Sequence, residues 1–433
     1  MLQTLRNAWK IPELRKRILY TLLLLVVFRL GSYITVPGLS PDAIKSMMGG
    51  FDQGIQGLLN NFSGGALENA SIFAMSISPY INASIILQLL TVAIPALERL
   101  AKEGEEGRKK IASYTRYLTV ILAFLQATGL YFGLRSGMEN TGAMSYIIVT
   151  LTLTAGTAFL MWLGEQITEK GIGNGISMLI FAGIVSRGPA LIQTLAGLVM
   201  PADGATMSIQ SVVTLIAIVA ISILAIAFVV FMNDAERRIP VQYAKRVVGR
   251  KMYGGQSTHI PIKVSMAGVM PIIFAVSIMS FPQTINMFIN GQNGAPEGFW
   301  ATVLSLFQQT HPFYIIAYFV LIVFFTYFYT AIQFNPIEIS NNMKKNGGFV
   351  PGIRPGKSTS DFISRILSKV TLLGSLFLAV IAVFPILMGV FMPSMAGVAI
   401  GGTSLLIMVG VALETVKQLE SQMLMRHYKG FLE

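Results

Sequence analysis

Residue types that usually perform catalysis are scarce or poorly placed in this chain of 433 residues. There is no cysteine, and the three histidines, His259, His311 and His427, lie far apart in the sequence. A catalytic thiol, a disulfide framework and a zinc site are therefore not expected. The run GIGNG at residues 171–175 superficially resembles a phosphate-binding loop, but it follows an apolar stretch and not a β-strand, which favours a tight turn. We accordingly predict no enzyme activity, no cofactor and no metal site.

Acidic residues are also missing from the middle of the apolar stretches. Glu165 and Glu338 lie in loops or at the ends of apolar runs, Glu68 lies just before such a run, and Glu414 lies near the end of the last one. Ion-coupled transporters usually keep ionisable groups inside the helix bundle, so this distribution disfavours a proton relay. Arg29 is the deepest basic residue of the apolar runs, and we expect it to snorkel or to pair within the bundle.

The elements that must position these residues are membrane-spanning helices. Of all residues, 53% are hydrophobic and only 12% are charged, against about 25% charged in a soluble domain, which excludes a water-soluble globule. A helix needs about 20 mostly apolar residues to cross the bilayer. Ten such runs occur, at residues 18–36, 71–94, 117–134, 146–163, 176–200, 209–232, 264–289, 313–334, 370–391 and 398–416. The first run shows no convincing cleavage site, so we interpret it as a retained helix.

Lysine and arginine predict the orientation, because cytoplasmic loops retain them. With the N-terminus inside, 28 of the 32 basic residues fall on the cytoplasmic side. The others are Lys45, Arg135 and Arg187 near outer span ends, and Arg29 within the first run. We therefore expect both termini to be cytoplasmic. The formal net charge of +12 suits basic loops that face anionic lipid or another anionic partner.

The predicted fold is an all-α integral membrane bundle with an N-terminal half at residues 1–200 and a C-terminal half at residues 201–433. Each half contains five of the ten runs. Because five is odd, the second half would begin on the opposite side of the membrane from the first. Such a topology permits an inverted repeat with a functional site between the halves, although no strong residue-level similarity between the halves points to one.

Two predicted cytoplasmic loops are long and basic. Residues 233–263 include seven lysines and arginines, and residues 335–369 include six. The charges alone are explained equally well by topology and contact with lipid headgroups or by docking. The length of the loops, with their tyrosines, prolines and glycines, favours a docking platform. In the second loop, the sequence GIRPG at 352–356 sets one arginine between turn-forming residues, a way to present a guanidinium to a carboxylate or phosphate.

The predicted outer segment at residues 37–70 ends in the small, glycine-rich stretch NFSGGALE at 61–68. This stretch is only moderately apolar. It could form an exposed loop, or a short element that folds back into the bundle as a stopper buried in protein. The residues alone leave these two interpretations open.

Seven long motifs occur in order along nearly the full chain: FSGGALENASIFAMSISPYINASIILQLL at 62–90, EEGRKKIASYTRY at 105–117, MWLGEQITEKGIGNGIS at 161–177, RRIPVQYAKR at 237–246, YGGQSTHIPIKVSMAGVMPIIFA at 253–275, FNPIEISNNMKKNGGFVPGIRPG at 334–356 and GGTSLLI at 401–407. By these motifs the chain resembles the SecY/Sec61 alpha family of protein-conducting channels. The resemblance implies ten helices in two halves around an hourglass pore that opens across the membrane and sideways into lipid.

The resemblance also implies where the pore is narrowest. Its constriction would be an apolar ring formed by Ile77, Ile81, Ile176, Ile180, Ile273 and Ile407. The first two pairs have a spacing of four residues, which puts each pair on one face of a helix. Without the resemblance, isoleucines at this spacing would be read as ordinary packing residues.

A plug and a lateral gate follow from the same resemblance. The plug would lie at about residues 55–68 and would seat outside the ring at rest, with the glycine-rich part Phe62, Ser63, Gly64, Gly65, Ala66 and Leu67. The second and seventh spans would form the gate. Gln88, Thr91 and Gln126 are polar candidates there, and ordinary interhelix hydrogen bonds would explain them equally well.

For docking, the resemblance assigns Arg250 and Lys251 to the ribosome-contacting tip and Arg354 to engagement of the motor ATPase. It implies the partners SecE, SecG, SecA, the ribosome, signal peptides and nascent chains, with anionic lipids around them. The expected location is the bacterial plasma membrane. The leading hypothesis is a protein-conducting channel driven by a partner ATPase or by translation. The alternatives are a small-solute secondary transporter, which the bare topology permits, and a scaffold that only recruits ribosomes.

Overall fold

A computed structural model of the chain describes residues 2–41, 44, 63–135, 138, 141–199, 209–243, 246–248, 251–253, 257–290, 299–309, 311–391 and 401–429. Most of these residues are helical. The helices are α1 (Leu2–Lys10), α2 (Pro12–Gly31), α3 (Ser78–Ala93), α4 (Pro95–Lys102), α5 (Glu105–Leu134), α6 (Ala143–Lys170), α7 (Gly175–Ser186), α8 (Gly188–Val199), α9 (Ile209–Asp234), α10 (Met270–Asn290), α11 (Phe299–Leu306), α12 (Pro312–Gln333), α13 (Pro336–Lys345), α14 (Lys357–Phe391) and α15 (Gly401–Lys429).

Local sequence explains where many helices begin. Proline lies in the first turn of α2, α3, α4, α12 and α13, where its missing N–H would have had no helical partner. The side chain of Asn174 accepts the backbone N–H groups of Ile176 and Ser177 at the start of α7, and Asn335 caps α13 in the same way. The glycine run at 171–175 is a turn between α6 and α7, with Gly173 at φ +83°.

Each predicted apolar run overlaps a helix, but three runs differ from it in instructive ways. In the run at 71–94, helix α3 begins only at Ser78, and the residues before it form turns. The run at 176–200 is broken at Arg187 into α7 and α8, just before Gly188 and Pro189, which disfavour a continuous helix. Helix α14 begins at Lys357, well ahead of the run at 370–391.

Four helical segments among the described residues are long and apolar enough to cross a membrane: Ala143–Lys170, Val212–Asp234, Pro312–Lys345 and Lys357–Val390. The number rises to five if α3 and α4, which meet at a bend of 101°, are one broken span. Gly175–Ala190 and Met270–Pro282 are shorter apolar helices. A chain with several such helices is a multi-pass membrane protein, whereas the count of ten spans stays a prediction.

The two long basic loops contain β-structure that the sequence did not predict. Strands β1 (Glu236–Tyr243), β4 (Ser257–Lys263) and β5 (Gly348–Phe349) form a sheet in the order β4-β1-β5, with antiparallel pairs such as Ile239 with Ile260. Strands β2 (Arg246–Val248) and β3 (Lys251–Tyr253) form a separate antiparallel pair. The fold is therefore mostly helical, and the expectation of an all-α chain holds for the apolar runs but not for these loops.

Helices of the first half and of the second half each pack mainly among themselves. Between the two sets, α10 contacts α3 and α5, α15 contacts α1 and α7, and α8 contacts α9. The largest buried cluster draws on both sets, with Phe28 and Ile180 from one and Phe274, Ile322 and Leu406 from the other. The main apolar core therefore lies where the two sets meet.

Candidate functional site

The six isoleucines predicted for the pore belong to the main apolar cluster. Four of them are between 1% and 6% exposed, and the other two are half-buried and pack against the cluster: Ile77, Ile180, Ile273 and Ile407, and then Ile81 and Ile176. They come from the start of α3, from α7, α10 and α15, so both sets of helices contribute. A cluster of branched aliphatic side chains at this point offers no hydrogen-bonding group to water or ions.

Close helix approaches position two of these isoleucines. At Gly175, an added Cβ would lie 1.8 Å from the carbonyl oxygen of Gly164, so α6 and α7 approach each other through backbone at this point. An added Cβ at Gly164 would lie 2.6 Å from Cδ1 of Ile176. The glycine pair therefore brings the start of α7, with Ile176 and Ile180, against α6. In α3, the N–H of Ile81 donates to the carbonyl oxygen of Ile77 at 3.0 Å, which fixes the first pair on one side of the helix start.

The glycine-rich segment that precedes α3 lies inside the protein. Ser63, Gly64, Gly65 and Ala66 are all buried, and Ala66 belongs to the same apolar cluster as the isoleucines. Leu67 is half-buried against a second cluster that includes Tyr131, Val149 and Leu153. Of the two interpretations of this stretch, the buried element fits residues 63–67, whereas Phe62 and the rest of the predicted plug lie outside the described residues.

Arg29 pairs within the bundle, as expected from its depth. Its Nη1 donates to the carbonyl oxygen of Gly64 at 2.9 Å and to Oγ of Ser186 at 3.1 Å, and its Nη2 donates to the hydroxyl of Tyr33 at 2.6 Å. Nearby, Nη2 of Arg187 lies 3.4 Å from Oε2 of Glu68. The sequence did not predict the second pair, because nothing in it relates residue 68 to residue 187.

The predicted gate residues belong to α3 and α5, the two helices of the first half that α10 contacts. Thr91 donates to the carbonyl oxygen of Leu87 in its own helix at 2.7 Å. The amide nitrogen of Gln88 is 3.5 Å from Oγ of Ser84, and its oxygen Oε1 is buried with no hydrogen-bond partner among the described residues. Gln126 is half-buried in α5. Thr91 thus has the ordinary intrahelical bond, whereas Oε1 of Gln88 is one of the described buried polar atoms without a partner, which are uncommon in folded proteins.

Arg354 is exposed at the tip of a loop whose base is tightly held. The hydroxyl of Ser340 in α13 donates to the carbonyl oxygen of Gly356 at 2.7 Å, and that of Thr359 in α14 donates to the carbonyl oxygen of Arg354 itself at 2.9 Å. Both hydroxyl residues are at most 2% exposed. Gly352 and Gly356 at φ +80° and +104° allow the turns on either side of the arginine.

Beneath this loop lies an apolar cluster shared by the sheet and two helices. Its buried members include Ile239 and Val241 of β1, Ile262 of β4, Met343 of α13 and Ile363 of α14. The cluster joins the two long loops into one platform. Of the other predicted docking residues, Lys251 begins β3 without a described side chain, and Arg250 lies outside the described residues.

Ion pairs among the described residues are at least partly exposed, and some of them join separate helices. Arg116 and Glu165 join α5 to α6 at 2.7 Å, and Lys417 and Asp234 join α15 to the end of α9 at 2.6 Å. In α4, the hydrogen bond from Lys102 and its positive charge hold the pKa of Glu98 below its usual value. No group of three or more His, Asp or Glu side chains that could hold a metal ion occurs in the described part of the chain.

Comparison with known proteins agrees with this architecture. The family model described as SecY matches residues 71–416. Over 440 residues, the chain is 48% identical to a protein of Halalkalibacterium halodurans named protein translocase subunit SecY, and it is 47% identical over 442 residues to a protein of the same name from Bacillus subtilis. Both alignments cover 100% of this chain and 100% of the relative.

Two solved structures share the fold at low sequence identity. One, titled as the structure of a protein conducting channel, aligns with a TM-score of 0.63 at 19% identity and 96% coverage of each chain. The other, described as Sec61 in the canine ribosome-channel complex from the endoplasmic reticulum, aligns with a TM-score of 0.63 at 18% identity and the same coverage.

Proposed function

The chain belongs to the SecY family, and we propose that it forms the channel through which unfolded, signal-bearing polypeptides cross the membrane and apolar segments leave sideways into the bilayer. Relatives that match it over their full length, at 47% and 48% identity, are named protein translocase subunits. The chain is a channel subunit and not an enzyme, so the energy for transport must come from a partner.

The observation that carries this proposal is the apolar meeting point of the two sets of helices. Isoleucines from α3, α7, α10 and α15 join one buried cluster with Ala66 of the glycine-rich segment. We assign the six isoleucines to the pore ring and residues 55–68 to the plug. An apolar constriction can exclude ions by dewetting, and its flexible side chains can yield around a passing polypeptide.

The lateral gate is proposed at the seam of α10 with α3 and α5, near Gln88, Thr91 and Gln126. The packing of α10 against both helices and the buried Oε1 of Gln88 support this assignment. A buried polar atom without a partner makes the packing around it less stable than apolar packing would be. A signal sequence that inserts there would favour the open form by binding it better than the closed form. The two halves, at 1–200 and 201–433, would move apart as units.

The platform formed by the long loops is the proposed docking surface. Arg354 would engage the motor ATPase SecA, and Arg250 with Lys251 would contact the ribosome. The role of Arg354 is supported by its exposure on a firmly held loop. SecE, SecG and anionic lipids are the further partners that we propose within a bacterial plasma membrane, with both termini cytoplasmic, an orientation favoured by the distribution of lysine and arginine.

A small-solute transporter finds no support among the relatives that match the chain over its full length. A scaffold that only recruits ribosomes would not need a buried segment against an apolar ring. Neither alternative accounts for relatives named protein translocase subunits.

The proposal can be tested with the chain and its small partner subunits in liposomes, supplied with the motor ATPase and ATP. Protease protection of a signal-bearing precursor is compared with that of the same precursor without its signal. We expect protection that depends on the signal and on ATP. We also expect its loss in Arg354→Glu, because the reversed charge removes the proposed contact with the motor, whereas the matched change Lys110→Glu, at an exposed position of α5 outside both long loops, should retain it. Equal protection with and without a signal would contradict signal-dependent gating, and no protection with an active motor would contradict the channel.

A further inference from the structure

Residues 63–73 are attached to the protein in two different ways. The end nearest α3 is held by backbone bonds: the N–H of Val36 donates to the carbonyl oxygen of Ala70, and the N–H of Ile72 donates to that of Ile34, both at 2.9 Å. Phe73 then stacks on Phe28 and on Phe159, with ring centroids 6.1 and 6.0 Å apart. This end is therefore built into the fold.

Within the described part of the chain, residues 63–68 are bonded through backbone only to residues 69–71, as from the N–H of Ser71 to the carbonyl oxygen of Ala66 at 2.9 Å, and two arginine side chains link them to the rest of the bundle. The guanidinium of Arg29, from α2, reaches the carbonyl oxygen of Gly64 and Oγ of Ser186 together, and Ser186 in turn donates to the carbonyl oxygen of Gly183 at 2.7 Å. At the other end of the short segment, Arg187 pairs with the carboxylate of Glu68. Two arginines thus hold the two ends of residues 64–68.

The backbone of this segment packs directly against α7. Gly64 lies at φ +68°, and a Cβ added there would lie 2.6 Å from Oγ of Ser186 and 3.1 Å from the backbone of Gly183. Backbone this close to α7 allows Arg29 to reach a peptide carbonyl. The contact therefore depends on the path of the chain and not on the side chains of the segment.

A tight turn at Ala70 separates the two kinds of attachment. Ala70 has φ +51°, an uncommon left-handed conformation for a residue with a Cβ. Such strain persists only where the surroundings impose it, and here the bond from Val36 to the carbonyl oxygen of Ala70 does so. The bond from the N–H of Ser71 to the carbonyl oxygen of Ala66 spans this residue, so movement of residues 63–68 away from residues 71–73 breaks it together with the arginine contacts.

We propose that Arg29 and the Arg187–Glu68 pair form a polar latch that holds residues 63–68 in the closed position. The inference rests on the proposed channel function and names the residues that position its seal. All the groups of the latch belong to the first half of the chain, so the latch can open before the two halves separate. Release deprives the Gly64 carbonyl of a charged donor and separates Arg187 from Glu68, which favours the closed position at rest.

The test measures potassium efflux from liposomes that contain the chain with its small partner subunits, without motor or precursor. The variants are Arg29→Gln, Glu68→Gln and the two combined. Loss of one charge-assisted hydrogen bond should raise basal efflux by about tenfold, and the double variant should leak more than either single variant. The matched control Arg135→Gln removes the same charge at the end of α5 and should leak like the parent chain.

Exchange of the two charges separates a latch from general damage. Glu68→Arg and Arg187→Glu should each raise efflux, and the chain with both changes should return towards the parent value. Efflux at the parent level in Arg29→Gln and in Glu68→Gln would overturn the latch, as would a charge exchange that leaks as much as its single variants.

Precursor translocation by the parent chain, measured in the same liposomes with motor and ATP, distinguishes this failure from failure of the channel proposal. A parent chain that translocates while its latch variants stay tight disproves the latch alone. A parent chain that does not translocate contradicts the channel function itself.

Discussion

The proposed role of the isoleucine ring depends on the absence of hydrogen-bonding groups from its side chains. A branched aliphatic side chain gives water nothing to bind, so a narrow ring of such residues favours a dry constriction. The four most buried members come from four different helices or helix starts: Ile77, Ile180, Ile273 and Ile407. A substitution at one of them changes the apolar lining but leaves the backbone hydrogen bonds intact.

Replacing Ile273 by serine should make the closed channel leak. The hydroxyl would offer water a partner within the ring, and loss of the side chain would widen the constriction. We expect basal ion efflux from liposomes to rise while signal-dependent translocation continues. Ile278→Ser is the matched control, because that residue lies on the same helix but is 36% exposed, whereas Ile273 is 6% exposed. Equal efflux in the two variants would contradict the assignment of Ile273 to the ring.

For single residues, the sequence predicted which side chains need a polar partner, but it did not predict which residues those partners are. Arg29 stood out because a guanidinium in an apolar run needs a partner. One partner, the hydroxyl of Tyr33, is four residues away, but the others are a peptide carbonyl of residue 64 and the hydroxyl of residue 186, distant in sequence and without a pattern of their own. The hydroxyls of Ser340 and Thr359, which hold the loop of Arg354, carry no sequence signal either, because serine and threonine occur on most surfaces.

At the level of elements, apolar runs predicted the helices because bilayer thickness demands about 20 consecutive apolar residues. Helix ends that lie in water escape this constraint, which is why α14 extends beyond its run to Lys357. The break at Arg187 and the turns before Ser78 interrupt stretches whose average composition stays apolar. The sheet was missed because charged residues and a proline interrupt the apolar pattern of β1, and because strands pair across long distances in the chain, as β1 does with β5.

The loop that displays Arg354 should lose its function when its base is loosened, even though the arginine remains. Thr359→Val keeps the shape of the side chain but removes the hydrogen bond to the carbonyl oxygen of Arg354. A hydrogen bond of this kind contributes about 1 kcal/mol, so the concentration of channel that half-activates the motor ATPase should rise about fivefold. The maximal rate should stay unchanged, because an ordered loop favours binding and not the chemistry of the motor.

Thr359→Ser is the control, since it retains the hydroxyl and should restore the affinity of the parent chain. A loss of maximal rate without a change in half-activation would contradict the positioning role. Equal behaviour of the valine and serine variants would show that the hydrogen bond is unimportant for docking.

At the scale of the whole molecule, the contacts between the two sets of helices lie in two kinds of place. On one side, α10 meets α3 and α5 at the seam of the proposed gate. Elsewhere α8 meets α9, joined to it directly in sequence, and α15 meets α1 and α7. The direct connection between α8 and α9 suits a hinge between the two halves. The contact of α10 with α3 and α5, which has no such connection, suits a lateral opening. Opening the seam would expose the cluster that contains the isoleucine ring.

Direct contact between basic residues of the cytoplasmic loops and ribosomal RNA should govern the affinity of the chain for ribosomes. With 28 of 32 basic residues on the predicted cytoplasmic side, contact with ribosomal RNA would release counterions, so affinity should fall steeply with salt. Each lysine or arginine against a phosphate contributes about 1 to the slope of log affinity against log salt.

The double variant Arg250→Ala/Lys251→Ala should therefore lower the slope by about 2, measured by cosedimentation of ribosomes with liposomes of neutral lipid. Lys344→Ala/Lys345→Ala removes equal charge from an exposed part of α13 and should leave the slope nearly unchanged. If both double variants lower the slope equally, the interaction depends on total charge and not on the assigned tip.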